Sequence, residues 1–88
     1  MYVYWSNLYF VYIIYSTSHH KYYIGQTNNF ELRLARHNAG TEKYTSAYKP
    51  WEKVLVIEKS TRSEAVVLES KLKNLNRERL LQFIEKYK

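Results

Sequence analysis

The sequence predicts an α+β fold, in which a three-stranded, mostly antiparallel sheet is flanked by helices in the order ββαβαα. Two aromatic and β-branched segments separated by four polar residues predict a hairpin near the N-terminus. A third such segment lies between stretches whose apolar residues recur every three or four positions, as on one face of a helix. With 88 residues, the chain is long enough for one small domain.

The predicted strands are residues 8–16, 21–26 and 51–58. The first is apolar almost throughout, so we expect burial on both faces and a central place in the sheet. The second ends near Gly25, and a glycine at this point indicates either a simple strand end or the close approach of a ligand or another segment.

The first predicted helix covers residues 29–38, with Asn28 as its N-cap, Glu31 completing a capping box and Gly40 just past its end. The residues expected to face inward are Leu32, Ala35 and Ala39.

Two further helices are predicted at the C-terminal end. One begins at a cap formed by Thr61 or Ser63 and continues to about residue 74, and the other covers residues 77–87. Their inward stripes are Ala65, Leu68, Leu72 and Leu75, and Leu80, Phe83, Ile84 and Tyr87.

We expect residues 1–7 to be a leader before a single domain of residues 8–88. Residues 1–18 lack the positive charge of a signal peptide, and the apolar run 8–15 is far shorter than a membrane-spanning helix. The chain has no cysteine, which excludes a disulfide-linked partner and cysteine-ligated metals and fits a reducing compartment. These features predict a soluble, cytoplasmic protein without a membrane partner.

The charge of the chain favours an anionic partner. Fourteen lysines and arginines face eight acidic residues, a net charge of +6, and all eight acids are glutamates. Nucleic acid is the commonest partner of such a surface, and a solvated basic surface without a partner is the alternative. Any carboxylate that binds a metal must be one of these glutamates.

Five residues form the candidate site. Tyr12 and Tyr23 lie on the two paired strands and can converge on one face of the sheet. Arg33 and His37 are four residues apart on the first helix, so they point together. Glu69 lies beside the apolar stripe of the second helix, and Lys73 follows one turn later, so an exposed salt bridge is the alternative role for this carboxylate.

These motifs resemble the GIY-YIG nuclease family, in particular its small stand-alone bacterial members. Phe10-Val11-Tyr12 stands where the first triplet is expected, Tyr23-Ile24-Gly25 matches the second, and the arginine, the histidine and Glu69 follow in family order. The resemblance covers about residues 9–75. The first motif departs in its first two residues, and Gln26 stands where some relatives carry lysine.

The resemblance implies an endonuclease that hydrolyses DNA with one Mg²⁺ or Mn²⁺ ion on Glu69. Arg33 would hold the phosphate, since its forked donors match two oxygens. Tyr12 or Tyr23 would orient or deprotonate the attacking water, and the residues do not choose between them. His37 would orient the water or a tyrosine, or donate to the phosphate.

The expected DNA partner includes branched and single-stranded forms, and the expected role is DNA repair or processing. Beyond the catalytic set, we expect seven residues to contact nucleic acid: Gly25, Gln26, Arg36, Lys43, Tyr44, Lys49 and Lys73. The alternative function is a nucleic-acid-binding module on the same fold with weak or no cleavage. A protein-interaction domain is a third hypothesis, and it would not require the five site residues.

Overall fold

The computed structural model describes residues 8–88, so the predicted leader at residues 1–7 lies outside the described residues. The strands are β1 (Tyr9–Ser16), β2 (Lys21–Thr27) and β3 (Trp51–Lys59), and the helices are α1 (Phe30–Ala39), α2 (Arg62–Lys73) and α3 (Arg77–Tyr87). A short 3-10 helix, Thr45–Tyr48, lies in the loop before β3. The predicted α+β class and the order ββαβαα are confirmed.

The sheet has the strand order β2-β1-β3, and both pairings are antiparallel. The apolar strand β1 is central, as its composition predicts. Within residues 8–88, β2 is an edge strand with no further strand on its outer side. β2 continues to Thr27, so Gly25 lies inside the strand rather than at its end.

Each face of β1 belongs to a different core, because successive side chains of a strand point to opposite faces. Val11 and Ile13 pack against α2 and α3, in a cluster that includes Leu72. Tyr12 and Ile14 pack on the other face against α1 and the 3-10 helix. This two-sided burial explains why β1 is apolar without alternation.

Helix α1 differs from the prediction in its cap and in its buried face. The N-cap is Asn29, whose side chain accepts from the backbone N–H of Leu32, and not Asn28. The predicted inward residues are wrong, because Leu32 is 57% exposed and Ala35 and Ala39 are also exposed. The helix instead turns Phe30, Leu34 and His37 toward the sheet. Phe30 has the size to fill the space beside the ring of Tyr12, and alanines do not.

The other helix boundaries follow the predicted signals. Gly40 ends α1 in the left-handed conformation with φ 80°, and Thr61 caps α2 by accepting from the N–H of Glu64. The inward stripe of α2 is as predicted, with Ala65 and Leu72 fully buried. On α3, Tyr87 remains 52% exposed at the chain end, although its ring packs on Phe83.

No helix in the described part of the chain has the length and apolar character needed to cross a membrane.

The observed buried face of α1 predicts a large loss of stability for one substitution and almost none for another. Phe30→Ala removes a side chain that is 6% exposed and should lower the free energy of unfolding by about 3–5 kcal/mol. Leu32→Ala, on the exposed face, should change it by less than about 0.5 kcal/mol. Urea denaturation followed by circular dichroism measures both, and comparable losses would show that α1 packs through the face containing Leu32.

Candidate active site

A buried chain of hydrogen bonds joins β1, α1 and the 3-10 helix. The hydroxyl of Tyr12 lies 2.8 Å from Nε2 of His37, and Nδ1 of His37 lies 2.7 Å from the hydroxyl of Thr45. All three side chains are at most 1% exposed. Both ring nitrogens of the histidine are therefore satisfied inside the protein.

Trp51 and Asn38 fix the surroundings of this chain. The indole N–H of Trp51 donates to the carbonyl of Thr45 over 3.0 Å. The side-chain amide of Asn38 accepts from the backbone N–H of Trp51 and donates to its carbonyl, which ties the end of α1 to the start of β3. His37 is thus held in place by contacts that involve β1, the 3-10 helix and β3.

Gly25 is needed because Tyr12 lies directly on it. The two residues are paired across β1 and β2, and a Cβ atom at position 25 would stand 2.5 Å from the Tyr12 hydroxyl oxygen and 2.7 Å from Cζ. Of the two interpretations of this glycine, the structure shows the close approach of another segment. The buried backbone of Gly25 supports the tyrosine.

Tyr23 connects the buried chain to the surface. Its ring centroid lies 5.3 Å from His37, 6.4 Å from Tyr12 and 6.0 Å from Tyr44. Tyr23 is half-buried, whereas Tyr44 is 61% exposed. Tyr12 and Tyr23 thus converge on one face, as expected, but only Tyr23 reaches toward solvent.

Burial keeps both groups of the central pair neutral. It raises the pKa of Tyr12 to about 12, although the guanidinium of Arg33 acts on the hydroxyl in the opposite direction. Burial also lowers the pKa of His37, and Arg33 and Arg36 add to this effect while Glu42 opposes it. Arg33 therefore lies close enough to influence Tyr12 and His37 together.

The direction of the hydrogen bonds follows from these neighbours. Arginine has only donors, so we infer that the Tyr12 oxygen accepts from the side of Arg33 and directs its own proton to Nε2 of His37. A neutral imidazole then carries its proton on Nδ1 and donates it to Thr45. In this arrangement Tyr12 is not free to take a proton from water.

Glu69 lies on the other side of β2. Its carboxylate accepts from the side-chain amide of Gln26 over 2.7 Å and forms an ion pair with Lys73 at 3.0 Å. Because Gln26 follows Gly25 in the strand, it points to the α2 face, away from Tyr12. Among residues 8–88, no hydrogen bond or ion pair joins Glu69 to Arg33, Tyr12 or His37.

Two cavities bring the two sides together at the free edge of β2. One, of about 340 Å³, is lined by both Gln26 and Arg33. The other, of about 390 Å³, is lined by Tyr23 and Tyr44 from one side and Lys73 from the other. The edge strand is therefore the place where a single ligand can contact groups from both faces of the sheet.

The carboxylate oxygens of Glu69 suit a hard cation that takes few ligands from the protein. The Glu69 carboxylate is the kind of oxygen ligand that Mg²⁺ accepts while it keeps several waters, whereas Gln26 turns its amide nitrogen, a hydrogen-bond donor, toward that carboxylate. In the described part of the chain, no three His, Cys, Asp or Glu side chains cluster as a metal site.

The remaining predicted contact residues lie on α1 and in the loop between α1 and β3. Arg36 is paired with Glu42 at 3.2 Å and is half exposed. Lys43 and Lys49 are exposed in the loop on either side of the 3-10 helix, next to Tyr44 and Tyr48, whose rings lie 5.6 Å apart.

Comparison with known proteins identifies the family. The family model of the GIY-YIG catalytic domain matches residues 8–87. The chain belongs to the GIY-YIG family. The family resemblance inferred from the motifs is thereby confirmed, and the chain has a nuclease-type fold.

Relatives of this GIY-YIG chain occur in bacteria. The UPF0213 protein SH2523 of Staphylococcus haemolyticus is 39% identical over 79 residues, which cover 86% of this chain and 93% of that protein. The UPF0213 protein lin0209 of Listeria innocua is 42% identical over 74 residues, or 82% of this chain and 80% of that protein. The solution NMR structure of the UPF0213 protein BH0048 from Bacillus halodurans is similar with a TM-score of 0.60 and 26% identity, covering 89% of this chain and 83% of that one.

Sequence reasoning did not identify the residues that support the GIY-YIG site. Thr45 and Trp51 hold His37 and its loop, and neither carries a charge or a motif spacing of its own. The signal that was available is the position of Thr45, directly after Tyr44, in a stretch that matches the family. Lys21 and Arg77, which line the cavity beside Tyr23, are distant in sequence and come together only through the fold.

The contact between Gly25 and Tyr12 predicts a steric effect. Gly25→Ala should lower the free energy of unfolding by about 1–3 kcal/mol, because the new methyl group displaces the buried ring of Tyr12. The penalty should be smaller in a Tyr12→Phe background, which lacks the nearest atom. Urea denaturation of the double-mutant cycle measures the difference, and equal penalties in both backgrounds would contradict the proposed contact.

The neutral state of buried His37 predicts a pH dependence of stability. Its pKa in the folded protein lies below the ordinary 6.5, so above that pH neither state is protonated and the full stability is present. As the pH falls below 6.5, the unfolded chain binds a proton first, and stability declines until the folded pKa is passed. His37→Gln should flatten the decline by at most about 1.4 kcal/mol per pH unit.

The exposed histidines provide the control for this measurement. His19→Gln and His20→Gln remove exposed imidazoles from the turn between β1 and β2 and are measured under the same conditions. A His37→Gln slope that is indistinguishable from that of the unmodified protein would show that His37 is protonated equally in the folded and unfolded states.

Proposed function

We propose that the protein is a divalent-metal-dependent endonuclease that hydrolyses phosphodiester bonds in DNA. The observation that carries the proposal is the position of Arg33, which acts on the buried pair of Tyr12 and His37 and also lines a cavity with Gln26, the partner of Glu69. A phosphate in this cavity would have the guanidinium of Arg33 on one side and, on the other, the cation that Glu69 is proposed to bind. The match to a nuclease family supports the same reaction.

Arg33 is the proposed phosphate ligand. Its planar guanidinium can donate to two phosphate oxygens and neutralise the charge that develops in the transition state. Its half-buried position beside the fully buried Tyr12 strengthens such an interaction, because little water screens it.

Tyr23 is the proposed contact to the attacking water, and Tyr12 is a positioning residue. Tyr12 has no exposed surface, its pKa is raised to about 12 and its hydroxyl is bound to His37. Tyr23 is half-buried at a cavity that also contains Lys73. Tyr23 packs on the ring of His37, which is held in place between Tyr12 and Thr45.

Glu69 is the proposed ligand of one Mg²⁺ or Mn²⁺ ion. When bound, such an ion supplies charge that stabilises the leaving oxygen of the phosphodiester. Glu69 would hold it, the Gln26 amide would turn so that its oxygen instead of its nitrogen faces the ion, and the half-exposed side chain of Lys73 would turn from the carboxylate into solvent. Loss of the Lys73 ion pair involves little free energy, since exposed pairs contribute about 0–1 kcal/mol.

Cations and aromatic rings along the edge of β2 form the proposed DNA path. Lys21, Lys73 and Arg77 line the cavity beside Tyr23 with the exposed ring of Tyr44. Lys43 and Lys49 extend this surface into the neighbouring loop. Phosphate contacts and base stacking together suit DNA, including branched or single-stranded forms met in repair or processing in the cytoplasm.

A nucleic-acid-binding module with weak or no cleavage is the second candidate. One observation favours it, because both carboxylate oxygens of Glu69 already have protein partners in Gln26 and Lys73. Binding through the cationic edge of β2 would not require this carboxylate to be released.

A nicking assay on supercoiled and branched DNA with Mg²⁺ or Mn²⁺ separates these functions. Arg33→Ala should lower the rate by about 100-fold or more, because a donor to the transition-state charge is lost. Glu69→Gln should abolish the metal-dependent activity while DNA binding in EDTA persists. Gel electrophoresis of the products at several metal concentrations measures both effects.

Matched substitutions on the same helices or of the same type provide the controls. Glu64→Gln, an exposed carboxylate earlier on α2, and Arg79→Ala, an exposed arginine on α3, should cleave like the unmodified protein. Cleavage that survives both Arg33→Ala and Glu69→Gln would contradict the proposed mechanism. Salt-sensitive binding without any cleavage would establish the second candidate instead.

A further inference from the structure

We propose that Arg62 is a second phosphate-binding residue, which shares with Arg33 the cavity at the end of β2 and holds a backbone phosphate of the DNA there. This inference rests on the proposed function, because it assigns part of the DNA contact to a residue that neither the motifs nor the family match identifies. The cavity has a volume of about 340 Å³, and its lining residues are Tyr9, Gln26, Thr27, Asn28, Arg33 and Arg62.

The charge of this cavity is the first argument. Its lining contains two guanidinium groups and no acidic side chain. The ion pairs within residues 8–88 are Arg36 with Glu42 and Lys73 with Glu69, so neither guanidinium of the cavity is paired there. Two like charges facing one small space repel each other, and a bound anion relieves that repulsion.

The position of the two arginines in the fold is the second argument. Arg33 belongs to α1 on one face of the sheet, and Arg62 is the first residue of α2 on the other. They line the same cavity at the end of β2, together with the neutral Gln26, which contacts Glu69. An anion in this cavity would contact both faces of the sheet and lie next to the carboxylate proposed to bind the metal.

The surroundings of Arg62 leave its charged end available for a ligand. Thr61 caps α2 through its own side chain, and the Arg62 guanidinium, which has only donors, takes no part in this N-terminal cap. Arg62 also lines a shallow depression with Val66 and Val67, which accommodates the aliphatic part of an arginine. Its side chain is exposed, and its removal should leave the cores intact.

Two measurements test the proposal without requiring cleavage. The first is a titration of ¹⁵N-labelled protein with inorganic phosphate, in which the side-chain Nε–H signals of Arg33 and Arg62 should shift together. The second is the salt dependence of binding to a short fluorescent DNA duplex in EDTA. Arg62→Gln should weaken binding about threefold to tenfold and reduce the slope of log affinity against log salt by about 0.9.

Three variants make the salt measurement specific. Arg79→Gln removes the same charge from α3 and should leave the slope nearly unchanged, because Arg79 does not line the cavity. Arg62→Lys should retain most of the slope. Adding Gln26→Lys to Arg62→Gln places a cation back in the same cavity and should restore it. Thermal unfolding of each variant checks that the fold is retained.

The outcomes distinguish this proposal from the proposed function. If Arg62→Gln alone lowers the slope and the phosphate titration shifts both arginines, the phosphate site stands even where no cleavage is detected. Equal effects of Arg62→Gln and Arg79→Gln would overturn it, since net charge alone would then explain the loss. Phosphate shifts at Arg33 without Arg62 would also overturn it while leaving the proposed endonuclease intact.

Discussion

The structure depends on the packing of one buried tyrosine against one glycine. Tyr12 lies across the backbone of Gly25, where a Cβ atom would come within 2.5 Å of the tyrosine hydroxyl. The same hydroxyl is hydrogen-bonded to His37. This contact joins the hairpin to α1, and Thr45 and Trp51 extend it to the 3-10 helix and β3. A polar group buried so deeply is tolerated because, within residues 8–88, no buried side-chain nitrogen or oxygen lacks a hydrogen-bond partner.

The same packing separates the two tyrosines into different roles. A phenol enclosed by protein keeps its proton, and its stable position is what it contributes. The neighbouring Tyr23 rests on the fixed ring of His37 and faces a cavity, so it gains a defined orientation without losing access to solvent. A rigid buried shell that supports an accessible polar group is the arrangement that a catalytic site requires.

Much of the fold follows from local signals, and much of the site does not. The caps at Thr61 and Gly40 and the continuous apolar run of β1 are local features, and each predicts its element correctly. The buried face of α1 was predicted wrongly, since alanines with helical spacing resemble a core stripe and the space beside Tyr12 admits Phe30 instead. Which face of a helix is buried depends on the residues that it packs against. Contacts between segments that are distant in the chain cannot be read from a short stretch of sequence.

The edge position of β2 explains how residues from opposite faces of the sheet can form one site. Side chains on the two faces of a central strand are separated by the strands on both sides, whereas at an edge a ligand can contact both faces. Here Arg33 lines a cavity with Gln26, whose side chain contacts Glu69 on the other face. An exposed edge also invites pairing with other chains, and the lysines and arginines along β2 oppose this because like charges repel. The positive charge along β2 therefore opposes strand addition at this edge and, under the proposed function, would attract a phosphate backbone to the same place.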